Sequence, residues 1–239
     1  MPVQYSELVA RDIVAMCQPL LKGGGWYIDP KTQKITPKQV GIDFNTPWVH
    51  VLRDTCRKCE DWQIIFQLTK IRPKRCYHCW KVVIRMSTIE DLFGLRDYMA
   101  FDIKHPCKCG WDNRPYTSGV YSGYFYCDTK ESGLEILKKV RADLKPVFKA
   151  EYNISLKRGC TEMEIQHKDN WENTISDQLI EGMFIQHVHI PDKNYPQPDI
   201  VKLHVMRRWI ENASRMGDQT VKKYNDGEML SPVLKNYED

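Results

Sequence analysis

The residues best suited to chemistry are four cysteines in two close pairs, Cys56 with Cys59 and Cys76 with Cys79, inside CRKCEDWQIIFQLTKIRPKRCYHCW. Sixteen residues separate the pairs, a spacing that suits zinc. Two residues between cysteines let a tight turn aim both sulfurs at one ion, and two such turns complete a tetrahedral set of thiolates. Zinc held in this way has no open position, so the metal is expected to be structural. Four cysteines also suit an iron–sulfur cluster. His78, inside the second pair, is a bystander or a substitute ligand, and the bland alternative is four buried or redox-active thiols with no metal.

A second, weaker cluster is His105, Cys107, Cys109 and Cys127. A single residue between Cys107 and Cys109 is unusual for a zinc turn, and the alternative is core packing for Cys127 with two loop thiols. Cys17 and Cys160 read as isolated core cysteines, although Cys160 follows the Gly159 turn and so stands where a site is often built.

Around the first cluster lie Lys70, Arg72, Lys74 and Arg75, with Tyr77 and Trp80 close by. Basic side chains attract phosphates and aromatic faces stack on bases, so a metal-fixed basic hairpin is a candidate nucleic-acid surface. The same residues also suit an aromatic cover for a small zinc module with its charges in water. A third constellation is His187 and His189, expected on one face of a strand MFIQHVHI, with Glu162 and Glu164 on a neighbouring strand TEMEI. Two imidazoles and two carboxylates would suit a catalytic divalent ion or acid–base work, against plain cross-strand polar pairing. The chain has no HExxH, P-loop, GxSxG or GxGxxG, and no deaminase pairing of His-x-Glu with Pro-Cys-x-x-Cys, so no enzyme class is indicated.

Charge is uneven. Residues 56–85 carry eight Lys/Arg against Glu60 and Asp61, whereas residues 161–239 carry nine against fourteen acids. This suggests one polyanion-facing segment and an acidic C-terminal part that meets a protein partner. An odd count of nine cysteines, with no basic and apolar leader in MPVQYSELVARDIVAMCQPLL, points to a reducing intracellular compartment, cytoplasm or nucleus. No apolar run is long enough for a membrane span, so no membrane partner is expected.

The elements that must position these groups alternate irregularly. Helices are expected over 6–21, in STIEDLFGLRDYM, from Asp128 to Pro146, in DNWENTISDQLIEG with Gly182 as its stop, and in PDIVKLHVMRRWIENASRMG. Strands are expected in GWYIDPKTQKITPKQVG, PWVHVLRD, WQIIFQL, WKVVIRM, SGYFYC, MFIQHVHIPD and on both sides of Gly159. The expected class is α+β, a small β-rich, zinc ribbon-like four-cysteine module joined to a mixed α/β part. The expected division is 1–100, an N-terminal helix with the zinc module, and 101–239, an α+β domain with a polar tail. The leading functional expectation is a zinc-stabilised nucleic-acid-binding protein. The alternatives are a metal-dependent nuclease or hydrolase using His187 and His189, and an assembly protein in which zinc only stiffens an interface.

Overall fold

A computed structural model describes residues 10–38, 44–51, 63, 66–67, 72–117, 119–167, 175–189 and 196–230. The described residues are mixed α and β, with seven helices and two antiparallel sheets. In chain order the helices are α1 (Ala10–Lys22), α2 (Lys74–Tyr77), α3 (Ile89–Asp97), α4 (Lys130–Leu144), α5 (Thr161–His167), α6 (Ile175–His187) and α7 (Asp199–Arg215). The strands are β1 (Trp26–Ile28), β2 (Ile35–Pro37), β3 (Trp48–Val51), β4 (Trp80–Met86), β5 (Cys107–Trp111), β6 (Tyr121–Cys127) and β7 (Tyr152–Arg158).

β1 and β2 form a hairpin. The other five strands form one sheet in the order β3-β5-β6-β4-β7, antiparallel throughout. β3 and β4 come from before residue 100, and β5, β6 and β7 from after it. The boundary expected near residue 100 therefore falls inside one hydrogen-bonded sheet.

Side chains alternate across a strand, so each strand divides its residues between two faces. One face of this sheet is apolar: Val49, Val82, Ile84, Met86, Cys107, Cys109, Tyr121, Phe125 and Ile154 are buried. Leu92 and Leu95 of α3, Val140 and Leu144 of α4, and Val201, Val205 and Trp209 of α7 join them in a single cluster. Thr88 caps α3 by accepting from the Asp91 amide at 3.2 Å, and Thr129 caps α4 by accepting from Ser132 at 3.1 Å. These caps satisfy amides that the first turn leaves open. α3 runs on into a π-turn at Tyr98–Asp102, which sends Met99 back into the core.

A second cluster joins Ile13 and Cys17 of α1, Trp26, Ile35, and Ile180, Phe184 and Val188. Those last three stand four residues apart, and that spacing explains a correction. Met183–His187 are the end of a helix, not a strand, because Ile180 and Phe184 recur at a helical step and pack with α1, and of the described residues in MFIQHVHI only Val188, bridged in parallel to Ile35, is paired as a strand residue. α6 runs through Gly182, which lies against open space and does not stop it. TEMEI is also helical. The chain turns at Gly159, whose φ of 64° is in the left-handed region, and α5 begins two residues later with Met163 buried beneath it. Gln63, Phe66 and Gln67, the described part of WQIIFQL, are helical as well. The expected strands WKVVIRM and SGYFYC are β4 and β6. The helices expected in STIEDLFGLRDYM, from Asp128 to Pro146 and in PDIVKLHVMRRWIENASRMG are present as α3, α4 and α7.

Candidate functional site

The other face of the sheet is polar. Lys81, Val83 and Arg85 of β4, Ser122, Tyr124 and Tyr126 of β6, Lys108 of β5 and Lys157 of β7 all leave the sheet on this side, as the strand registers require. Lys81, Lys108, Tyr124, Tyr126 and Lys157 of this face, with Pro47–Trp48, Trp111–Arg114, Tyr116 and the turn Gly159–Glu162, line a cavity of about 350 Å³.

At one wall Asp112 anchors a buried network. Its side chain is fully enclosed. Arg114 donates to both carboxylate oxygens, Nε to Oδ1 and Nη2 to Oδ2, each at 2.8 Å. Arg85 Nη1 donates to Oδ2 at 2.6 Å, and the Tyr124 hydroxyl donates to the same oxygen at 2.8 Å. Burial alone would raise the Asp112 pKa, but these hydrogen bonds outweigh it and hold the carboxyl well below the usual range. Arg114 Nη1 reaches on to Glu162 at 2.9 Å, and the Tyr116 hydroxyl donates to that carboxylate at 2.7 Å. For Glu162 also, burial is opposed and outweighed by these contacts, so its pKa is lowered. The network ties the 112–116 segment to both the sheet and α5.

The opposite wall is set by β3. Trp209 Nε1 donates to the Pro47 carbonyl at 2.8 Å. The Gln197 side chain completes this sheet edge, accepting from His50 N and donating to Trp48 O, each at 2.9 Å. Gly110 lies opposite Trp48, and a Cβ there would run into the Pro47 carbonyl oxygen and lie 2.9 Å from the Trp48 ring. Trp48 and Tyr124 meet edge to face at 5.5 Å. The Lys108 ammonium lies 4.4 Å from the centre of the Trp48 ring and 5.7 Å from that of Tyr124. Lys108 meets no carboxylate among the described residues, so aromatic faces are what hold it.

Lys81 sits 5.5 Å over Tyr126 and donates to Cys160 Sγ at 3.1 Å. It is directly opposite Lys157 in the ladder. Burial, then Lys81, pushes the Lys157 pKa down. Glu164 of α5 pairs with Lys157 from above.

The expected nucleic-acid residues divide. Arg72 and Tyr77 are buried, with the guanidinium 5.1 Å over the ring, so neither stands on an outward loop. Lys74 and Arg75 are exposed on α2, a helical turn where a hairpin was expected. Trp80 begins β4 beneath Arg158, and Lys70 lies outside the described residues.

Of the four-cysteine set, Cys56 and Cys59 lie outside the described residues. Cys76 and Cys79 form the expected tight turn, Cys79 N donating to Cys76 O at 3.3 Å. Arg158 fixes that turn to β7 by donating to Tyr77 O from Nε at 3.0 Å and from Nη2 at 2.8 Å. In the second set, Cys127 Sγ lies 3.6 Å from His105 Nε2, while Cys107 and Cys109 point into the core. Burial pushes the Cys107 thiol up to about 12 and Cys109 well above its ordinary value. Cys76, Cys79, Cys127 and Cys160 all line a second cavity of about 300 Å³. Among the described residues, no three His, Cys, Asp or Glu are grouped as metal ligands.

His187 ends α6 with Nδ1 bonded to Met183 O at 2.9 Å, and His189 follows with its amide on Ile35 O at 2.9 Å. Glu162 and Glu164 instead face Arg114 and Lys157. The two pairs are thus held by different elements. No helix among the described residues is long and apolar enough to cross a membrane. No family model matches the chain, and comparison with curated proteins and with solved structures finds no match for it.

The sequence reading missed the polar sheet face. Its signal was the two-residue alternation of Lys81 and Arg85 in WKVVIRM and of Ser122, Tyr124 and Tyr126 in YSGYFYC.

Proposed function

We propose that the chain binds nucleic acid, with a nucleotide unit entering the cavity on the polar face of the five-stranded sheet. One observation carries this reading: three lysines from three strands, Lys81, Lys108 and Lys157, share one cavity with Trp48, Tyr124 and Tyr126. Lysines supply phosphate attraction, and aromatic rings supply sequence-tolerant stacking. The volume suits one nucleotide and not a duplex, so an unpaired base is the expected guest. Lys74 and Arg75, exposed on α2, extend the attraction outside the cavity.

In this reading Cys56, Cys59, Cys76 and Cys79 hold one structural zinc ion. Their spacing supports it, and so does the tight turn at Cys76–Cys79. The ion would fix the basic segment that leads into β4. Hydrolysis through His187 and His189 gains no support, since His187 Nδ1 meets the Met183 carbonyl one turn back in the same helix and His189 is tied by its amide to the Ile35 carbonyl.

The test is titration of a labelled single-stranded oligonucleotide at two salt concentrations. Binding should weaken steeply with salt. Lys108→Gln should flatten that slope by about one charge, and Trp48→Ala should cost about 1–3 kcal/mol of affinity. Unchanged binding by both folded variants would refute the cavity as the site.

A further inference from the structure

The cavity on the sheet face has a neighbour. Tyr126, Gly159 and Cys160 line it, and the same three residues line the second cavity of about 300 Å³. The second cavity lies at one end of the sheet, where Trp80 opens β4 opposite Cys127 on β6 and Arg158 on β7. The two spaces share a wall and are close to each other in size. Arg75 and His78 also line the second one. Both are exposed, and among the described residues neither makes a hydrogen bond or an ion pair. They flank Tyr77, whose carbonyl accepts from Arg158 of β7, so the backbone that carries them is tied to the sheet. Asp128 supplies a carboxylate to this cavity. A carboxylate repels phosphate and accepts from amino and hydroxyl groups, so its side of the cavity suits a base or a sugar.

Successive nucleotides of a strand are joined through one phosphate. A guanidinium attracts that phosphate, and an imidazole face stacks on a base as other aromatic rings do. We infer that the second cavity takes the next nucleotide of the same strand, with the linking phosphate at Arg75 and the base against His78. This rests on the reading that nucleic acid enters the first cavity, and it makes the site two consecutive unpaired nucleotides long.

The test uses the full chain, a labelled single strand of about ten nucleotides as probe and two competitors. One competitor is a nucleoside monophosphate, and the other is the dinucleoside monophosphate built from the same nucleoside. Each holds a single phosphate, and the diester carries the smaller charge, so phosphate attraction alone favours the shorter compound. The dinucleoside monophosphate should nevertheless compete at least about tenfold better, from stacking of the added base. His78→Ala and Arg75→Gln, checked for folding by circular dichroism, should each remove most of that advantage. Equal competition by the two compounds, with strand binding still weakened by Trp48→Ala, would overturn the second subsite and leave the first cavity standing. An advantage that both variants keep in full would overturn the assignment to the second cavity. Failure of the strand itself to bind would overturn this inference together with the reading beneath it.

Discussion

Asp112 is the residue on which the cavity wall depends. Its enclosed carboxylate accepts from two guanidinium groups and a tyrosine hydroxyl. Removing one partner of a buried ion pair costs more than the pair itself contributes, because the other charge is left uncompensated. Asp112→Asn should therefore destabilise the fold by about 3 kcal/mol or more, measured by chemical denaturation. The pH dependence has a definite sign. The folded pKa of Asp112 is depressed below the unfolded value of about 3.9. Its contribution is fully present above about pH 4 and is lost as the pH falls through the folded value. The parent protein should show a steeper loss of stability below about pH 4 than Asp112→Asn, and parallel acid limbs would count against the network.

At the scale of the element, the cavity exists because β4, β5, β6 and β7 each present one apolar and one cationic or aromatic face. Gly110 lets Pro47 and Trp48 approach β5, so Gly110→Ala should cost about 1–3 kcal/mol and move the Trp48 fluorescence, with an unshifted spectrum as the contrary result. Much of this level was legible in the sequence. β4, β6, α3, α4 and α7 follow from period and caps, since Thr88 and Thr129 stand just before acids and apolar residues at helical spacing. α5 was not legible as a helix, and α6 was legible only as far as Gly182. TEMEI alternates like a strand over five residues, too few to separate the two periods, and MFIQHVHI hides the four-residue step of Ile180, Phe184 and Val188 behind β-branched neighbours. The site itself was half legible. The thiol turn at Cys76–Cys79 and the position of Cys160 beside a cavity could be read from spacing. The gathering of Lys81, Lys108 and Lys157 could not, because sheet order and register bring together residues up to 76 positions apart.

Across the whole molecule, chain segments before and after residue 100 share one sheet, and α1, β1, β2 and α6 form a second cluster beside it. The segment 56–79 enters this sheet at β4, with its last turn held by Arg158. A zinc ion on Cys56, Cys59, Cys76 and Cys79 would brace that junction. Elemental analysis of reduced protein should return close to one zinc per chain, and chelation should lower the melting temperature. A metal-free protein that melts at the same temperature with and without chelator would remove zinc from this picture.

Nucleic acid inside the sheet-face cavity is tested most directly by ultraviolet crosslinking of a bound single strand, followed by peptide mapping. Crosslinks are expected on Trp48 of β3 and on Tyr124 or Tyr126 of β6, which line the cavity. Crosslinks confined to the Lys74–Tyr77 turn, or none at saturating strand, would contradict it.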